Sequence, residues 1–181
     1  MRYLRAYRVL LPPLVVYGGA VGVSLVWSLM HYSIGWVGLM AVGGWFFWTL
    51  VEYLIHRFGF HEEPGRPWAQ KYDIHWIHHR QPHRSEHIVT SLSLTVPVAL
   101  IFFGVFYLIG AGSPLVGAWY AGFGIGYLSY EMIHLMIHIH PIPPLRWLRS
   151  LWMHHYHHHF RSPNKYYGVT SRWWDYLFGT I

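Results

Sequence analysis

Long uncharged stretches constrain the fold of this chain more than any other feature of its sequence. Residues 9–30 carry no charged side chain, and neither do residues 33–51 or the run 88–130. About 20 apolar residues suffice to cross a bilayer as a helix. The run 88–130 is too long for one span, and Gly110-Ala-Gly-Ser-Pro114 predicts a turn within it. We therefore expect an all-α integral membrane protein of one domain, residues 1–181, with spans at about 9–30, 33–56, 88–109 and 115–139.

The composition and the placement of basic residues agree with this architecture. Only 11% of the residues are charged while 54% are hydrophobic, a balance typical of proteins that use lipid as solvent. The thirteen Lys and Arg residues fall in three blocks, 2–8, 57–84 and 146–172, and the short loops near 31–35 and 110–114 hold none. By the positive-inside rule, both termini and the 57–87 segment are expected to face the cytoplasm. The net charge of +6 then reflects topology rather than binding to nucleic acid.

One alternative to four spans is that the first stretch is a signal peptide. Gly18-Gly-Ala20 resembles a weak cleavage site. Cleavage there would leave three spans and put the two histidine-rich segments of the chain on opposite faces of the membrane. With four spans, both segments lie on the cytoplasmic face.

Sixteen histidines are far more than a chain of this length needs for packing. Ten of them form four spaced groups: His56-x4-His61, His75-x2-His78-His79, His134-x3-His138 and His155-x2-His158-His159. On a helix, residues at i, i+3 and i+4 share one face, so each HxxHH group is expected to direct three imidazoles at one place. Since five residues turn about 140° round an α-helix, we expect a helix to end between His56 and His61, which Gly59 would permit.

Metal coordination explains this set better than interfacial hydrogen bonding, although the latter is an adequate reading of any single histidine. A buried imidazole without a partner costs about 1–3 kcal/mol, and polar groups at membrane depth are usually functional. Ten ligands suit two ions with about five each. The absence of cysteine excludes a thiolate site. Imidazole suits iron, copper, zinc and nickel, and zinc would need fewer histidines and add no redox chemistry. A pair of irons that activates dioxygen is favoured, and zinc can occupy such a site in a purified sample.

Several motifs resemble those of a known family. The segment Trp48-Thr-Leu-Val-Glu-Tyr-Leu-Ile-His-Arg-Phe-Gly-Phe-His61 is similar to the first histidine box of fatty acid 2-hydroxylases. So are Gly126-Tyr-Leu-Ser-Tyr-Glu-Met-Ile-His134, the last HxxHH group, and the closing Gly168-Val-Thr-Ser-x-x-Trp-Asp-x-x-Phe-Gly-Thr180. Over about residues 45–181 the chain resembles the fatty acid hydroxylase and sterol desaturase superfamily. The family has eight residues between its final histidine pair and Gly-Val-Thr-Ser, and here residues 160–167 satisfy that spacing for His155, His158 and His159 rather than for His154, His157 and His158.

The resemblance implies a four-helix membrane fold with a cytosolic helical cap that holds a di-iron site. It also implies a lipid hydroxylase that uses dioxygen and external electrons to place one oxygen on an acyl chain, with the 2-position as the candidate. The chain shows no cytochrome b5 segment of the kind often fused in eukaryotic members, so a separate ferredoxin or cytochrome b5-like donor is expected, with lipid from the bilayer as substrate and no nucleic acid partner. The expected metal ligands are His56, His61, His75, His78, His79, His134, His138, His155, His158 and His159.

The spacing of three acidic residues suggests how ligands are oriented. Glu52, Glu131 and Asp73 are each placed to accept a hydrogen bond from the second nitrogen of a ligating imidazole, and Asp73 is equally well explained as a helix N-cap. Asp175 is expected to pair with Arg172. Sterol or carotenoid hydroxylation or desaturation remains an alternative activity, and a histidine-rich membrane metal transporter or sensor is the alternative from another class.

Overall fold

The computed structural model describes residues 6–61 and 74–181. The helices in these ranges are α1 (Leu11–Leu29), α2 (Ile34–Leu54), α3 (Ile74–Arg80), α4 (Ser85–Ile88), α5 (Leu92–Ile109), α6 (Leu115–Ile139), α7 (Arg146–Phe160) and α8 (Trp173–Leu177). A 3-10 turn, Arg8–Leu10, precedes α1, and a π-helical turn, Ile55–Phe60, continues α2. The described part of the chain contains no strand, so the all-α prediction is confirmed.

Within the ranges that the structure describes, three helical stretches are long and apolar enough to cross a membrane: Arg8–Leu29, Ile34–Phe60 and Ser85–Ile109. Helix α5 buries none of its residues, and Leu108 and Ile109 are 78% and 80% exposed. An exposed apolar surface of this extent requires lipid or a partner to cover it. Together these helices indicate a membrane protein. Helix α6, predicted as a fourth span, is 25 residues long, but its glycines, tyrosines and histidines and Glu131 make it less apolar than these three stretches.

The ends of the spans follow local signals. Pro12 and Pro13 lie in the first turn of α1, where a missing N–H removes no helical hydrogen bond. The predicted turn after α5 is confirmed: Ala111 and Gly112 have φ values of 49° and 71°, and the Gly112 N–H donates to the Tyr107 carbonyl over 2.9 Å. A residue in the left-handed region closes a helix in this way, and glycine adopts it at little cost.

The chain divides into two compact units, the first of which, Leu10–Trp48 with Thr90–Ser129, we call the apolar unit. Its helices α2 and α6 approach so closely that only glycine fits between them. A Cβ on Gly44 would lie 1.9 Å from the Trp119 carbonyl oxygen, and a Cβ on Gly122 would lie 1.8 Å from that of Ala41. Small residues that allow backbones to approach are the usual means of packing helices in lipid.

The second unit, Met1–Val9 with Thr49–Val89 and Tyr130–Ile181, contains the ten histidines and is called the histidine unit. Its buried apolar core is formed by Ile137, Leu151, Trp152 and Val169. Trp152 is only 1% exposed, so it belongs to this core. The same face of α7 that buries Leu151 and Trp152 also buries His155 and His158, so packing of the apolar residues sets the direction in which these imidazoles point.

Candidate metal centre

The structure brings the ten predicted histidines together in two groups. Group A contains His56, His61, His75, His79 and His158, and group B contains His78, His134, His138, His155 and His159. Within each group, one ring nitrogen from every histidine lies within 4.8 Å of all the others. No other His, Asp or Glu of the described residues joins either group. The groups are adjacent, because the rings of His79 and His159 stack with centroids 4.1 Å apart.

The groups divide the sequence motifs in an unexpected way. Each HxxHH motif was expected to direct its three imidazoles at one place, and this is wrong. In α3 the pair at i and i+4, His75 and His79, belongs to group A while His78 belongs to group B. In α7 the corresponding pair belongs to group B while His158 belongs to group A. Since i and i+3 differ by about 60° round a helix and i+3 and i+4 by about 100°, one helix can face two adjacent centres.

A π-helical turn brings His56 and His61 to the same group. The helix ends between His56 and His61, as expected, but its last residue is Phe60 rather than Gly59 and its last turn is π-helical. A π-helix closes i→i+5 hydrogen bonds and so places residues five apart on nearly the same side. The ring centroids of His56 and His61 are accordingly 5.2 Å apart. Such single π turns within α-helices are rare and occur frequently at functional sites.

The imidazole nitrogens of each group converge on a common centre. The Nε2 atom of His75 lies 3.0 Å from that of His56 and 3.0 Å from that of His79. It also lies 2.9 Å from the Nε2 atom of His61. A ring nitrogen carries either one hydrogen or one lone pair, so it cannot bond three such neighbours at once. Group B repeats the pattern, with Nε2 separations of 3.1, 3.1 and 2.9 Å for His78–His159, His134–His78 and His138–His155.

These separations fit nitrogen ligands around a metal ion of high coordination number. With metal–nitrogen bonds of about 2.0–2.1 Å, two ligands at right angles lie about 3.0 Å apart, whereas two at a tetrahedral angle lie about 3.4 Å apart. The observed values of 2.9–3.1 Å match the right-angle case. An all-imidazole set of five is also larger than a structural zinc site uses. The residues present therefore fit the redox-active metal that the family resemblance implies.

Burial keeps the imidazoles outside the membrane helices in the neutral form that binds metals. Burial, and then the proximity of His79, lowers the pKa of His61 to about 3, and burial lowers the pKa of His79 to about 4. The pKa of His78 falls to about 3 for the same reasons. Burial also lowers the pKa values of His75, His155, His158 and His159. Because metal ligands must be deprotonated, such imidazoles need lose no proton at neutral pH.

Backbone carbonyls orient two imidazoles of group A. The Nδ1 atom of His56 donates to the Tyr167 carbonyl, and that of His158 donates to the Lys165 carbonyl over 2.7 Å. A hydrogen bond at Nδ1 selects the tautomer whose Nε2 is free to bind a metal. Sequence reasoning missed these acceptors because every residue carries a carbonyl, although the Gly168-Val-Thr-Ser motif directly follows them. Among the described residues, the Nδ1 atoms of His61, His78, His134, His155 and His159 are buried without a hydrogen-bond partner.

Two buried carboxylates contact the loop after α7. Glu52 accepts hydrogen bonds from the Val169 and Thr170 amides over 2.6 and 3.0 Å, and its expected hydrogen bond from an imidazole remains a prediction. Asp175 bonds the Nε2 atom of His154 over 2.9 Å, so its expected pairing with Arg172 is wrong. Burial raises the pKa of Asp175, but its hydrogen bonds outweigh burial and bring the pKa below its usual value.

The other acidic predictions remain predictions. Glu131 is fully buried, at 0% exposure, one turn before His134. Asp73 lies outside the described residues.

Known proteins resemble this chain over most of its length. The family model described as fatty acid hydroxylase matches residues 41–180. Human fatty acid 2-hydroxylase is 34% identical over 141 residues, which cover 76% of this chain and 38% of that protein. Dihydroceramide fatty acyl 2-hydroxylase FAH2 of Arabidopsis thaliana is 33% identical over 149 residues, which cover 80% of this chain and 61% of that protein. Ceramide very long chain fatty acid hydroxylase SCS7 of Saccharomyces cerevisiae is 33% identical over 176 residues, which cover 93% of this chain and 43% of that protein.

The fold is similar as well. A solved structure of full-length scs7p, in which only the hydroxylase domain is visible, matches with a TM-score of 0.84 at 29% identity, over 97% of this chain and 66% of that one. The chain thus spans less than two thirds of the length of each of these relatives. The resemblance inferred from the histidine boxes and the closing motif is confirmed, and the chain belongs to the fatty acid hydroxylase family.

Proposed function

We propose that this chain is a membrane-bound di-iron oxygenase that hydroxylates a lipid acyl chain, with the 2-position as the candidate carbon. The observation that carries the proposal is the pair of adjacent five-histidine groups in a member of this family. Several relatives are named fatty acid or fatty acyl 2-hydroxylases. Their names supply the acyl chain as substrate class, and the all-nitrogen groups supply the reason to expect iron.

The protein's part in this chemistry is to hold two ions close together in a dry environment. Bound iron would supply the redox chemistry that activates dioxygen towards an unactivated C–H bond. Groups A and B would each hold one ion. Helices α3 and α7 contribute to both groups, so the spacing of the ions depends on two short rigid elements. Burial of His155 and His158, each 0% exposed, keeps water from the ligands and preserves their orientation.

We further propose that α6 is a fourth span and that both termini and the histidine groups face the cytoplasm. The support is the distribution of charge, since all thirteen Lys and Arg residues avoid the loops near 31–35 and 110–114. In this arrangement the lipid reaches the histidine groups from the bilayer. Electrons would come from a separate ferredoxin or cytochrome b5-like protein, for which exposed basic residues such as Arg80, Arg84 and Arg161 offer a complementary surface.

Labelled dioxygen tests the activity. Cells expressing the wild type, His158→Ala or His31→Ala, together with a ferredoxin and its reductase, are grown under ¹⁸O₂ and their lipids are measured by mass spectrometry. His31 is the matched control, because this exposed histidine bonds the Trp27 carbonyl and belongs to neither group. We expect an acyl lipid to gain one labelled oxygen with the wild type and His31→Ala but not with His158→Ala.

Other outcomes would redirect or refute the proposal. A lipid that loses two hydrogens and gains no oxygen would make the chain a desaturase. A labelled sterol or carotenoid would change the substrate class. If the wild type, shown to contain two iron ions and supplied with electrons, modified no lipid, the oxygenase proposal would be wrong, and metal flux in proteoliposomes would then test the transporter alternative.

A further inference from the structure

The loop after α7, residues 165–170, which we call the clamp loop, touches group A through its backbone. The Lys165 carbonyl accepts the hydrogen bond from His158, and the Tyr167 carbonyl accepts that from His56. These two histidines come from elements far apart in sequence, α7 and the π turn after α2. The clamp loop therefore orients two of the five imidazoles of group A at once.

Two buried carboxylates hold the clamp loop from its other side. Asp175, which is 0% exposed, accepts hydrogen bonds from the amides of Tyr167 and Gly168 over 2.9 and 2.8 Å. Glu52, which is 4% exposed, accepts those of Val169 and Thr170, and the Thr170 hydroxyl also donates to it. Four successive N–H groups of the loop are thus bound by carboxylates.

The peptide bond between Tyr167 and Gly168 links a carboxylate to a candidate ligand. In a planar trans peptide the C=O and the following N–H lie in one plane and point in opposite directions. When Asp175 accepts the Gly168 N–H, it therefore sets the direction of the Tyr167 C=O, which accepts from His56. Hydrogen bonds to charged groups are also stronger than neutral ones, so Asp175 restrains this peptide more firmly than a neutral acceptor would.

The surroundings leave this peptide little freedom to rotate. A Cβ on Gly168 would lie 1.9 Å from the Ser171 carbonyl oxygen and 2.9 Å from the Asp175 carboxylate, so only glycine allows the loop to pass. Asp175 is itself bound by His154 and by the Thr180 hydroxyl, over 2.9 and 2.7 Å. The carboxylate thus has a fixed position from which to orient the loop.

We propose that Asp175 and Glu52 are positioning residues for the metal ion of group A, and that they act through the backbone of the clamp loop. The proposal rests on the proposed function, since it takes groups A and B to hold one ion each. Outer partners of metal-bound histidine typically contribute about 10–100-fold to metal affinity. We therefore expect Asp175→Asn or Glu52→Gln to weaken retention of one ion by that factor and to leave the other unchanged.

Metal content after a timed exposure to a chelator in detergent tests this. We expect two ions per chain in the wild type, and one in Asp175→Asn and in Glu52→Gln. Glu86→Gln is the matched control, because this exposed carboxylate lies on α4 outside both groups, and it should retain two. The same amide substitution at a surface position thus separates loss of the clamp from loss of charge.

Ligand variants identify which ion is lost. His56→Ala should keep only the ion of group B, and adding Asp175→Asn should change nothing further. His138→Ala should keep only the ion of group A, and adding Asp175→Asn should remove it. A purely structural defect would release both ions in every background and overturn the inference, as would full retention in both carboxylate variants. If the wild type bound fewer than two ions, the proposed di-metal function itself would fail.

Discussion

The neighbours His78 and His79 differ in the group to which they belong, and we predict that replacing them empties different metal sites. The Nε2 atom of His79 lies 3.0 Å from that of His75 in group A, whereas that of His78 lies 3.1 Å from that of His134 in group B. If one helix supplied all its imidazoles to one ion, both substitutions would weaken the same site. The structure predicts that they do not.

The size of the effect follows from the number of ligands. Four-ligand structural zinc sites bind with about 10–16 kcal/mol, or roughly 3 kcal/mol for each ligand. Removing one of the five imidazoles of a group is therefore expected to weaken that site by roughly 100-fold, since each 1.4 kcal/mol corresponds to a factor of about ten. A site weakened to this extent loses its ion to a moderate chelator while the intact site retains its own.

A background that has already lost one site makes the assignment unambiguous. In His56→Ala, group A is defective and one ion remains in group B. Adding His79→Ala removes a second ligand from group A and should leave that one ion in place. Adding His78→Ala removes a ligand from group B and should leave none. The measurement is the number of metal ions per chain after chelation, determined by mass spectrometry of the purified protein.

One result would refute the division of the histidines. If His56→Ala/His79→Ala lost both ions while His56→Ala/His78→Ala kept one, then His79 rather than His78 would belong to the remaining site. Equal loss in both double variants would instead show that the two groups act as one cooperative unit. His31→Ala in the same background, which removes an exposed histidine, controls for loss of any histidine.

Three further predictions concern packing and pH. Gly122→Ala places a Cβ 1.8 Å from the Ala41 carbonyl oxygen, whereas the Cβ of Gly104→Ala meets nothing within 4 Å. Only Gly122→Ala should therefore lower the thermal unfolding temperature in detergent, with a loss of about 1–3 kcal/mol or more in the free energy of unfolding. Trp152→Ala should lower the free energy of unfolding by about 3–5 kcal/mol. Trp147→Ala should lower it far less, because Trp147 is 65% exposed, and chemical denaturation would measure both changes. In the metal-free protein, burial lowers the pKa of His61 and His78 to about 3 and that of His79 to about 4, from the ordinary value of 6.5. At pH values between the lowered pKa and 6.5, the unfolded chain therefore binds more protons than the folded protein. The free energy of unfolding should therefore fall from pH 7 to pH 5, by roughly 2 kcal/mol for each of the three, and unchanged stability over that range would contradict the burial of these rings.

Much of the architecture could be predicted from the sequence because its causes are local. A run without charge predicts a membrane helix regardless of its neighbours, and residues 9–30 and 88–109 correspond closely to α1 and α5. The turn at Gly110–Pro114 depends on glycine and proline within the loop itself. The four histidine groups could be recognised for the same reason, since residue type and spacing are properties of the sequence alone.

Other features depended on backbone conformation that residue spacing does not reveal. His56 and His61 meet because the helix widens into a π turn, and ordinary helical periodicity places them apart. The carbonyls of Lys165 and Tyr167 orient His158 and His56, yet their directions depend on dihedral angles and on amide contacts with Asp175 and Glu52. Nothing in the identity of residue 165 or 167 marks its carbonyl as an acceptor.

By itself, the sequence determined that this is a helical membrane protein with ten histidines in family-specific boxes. Only the tertiary structure divided those histidines into two groups of five, because membership depends on which helices face each other and not on position within a motif. His78 and His79 are neighbours in the chain, but about 100° of helical rotation separates them. The packing of α3 and α7 beside the π turn converts that rotation into two adjacent centres.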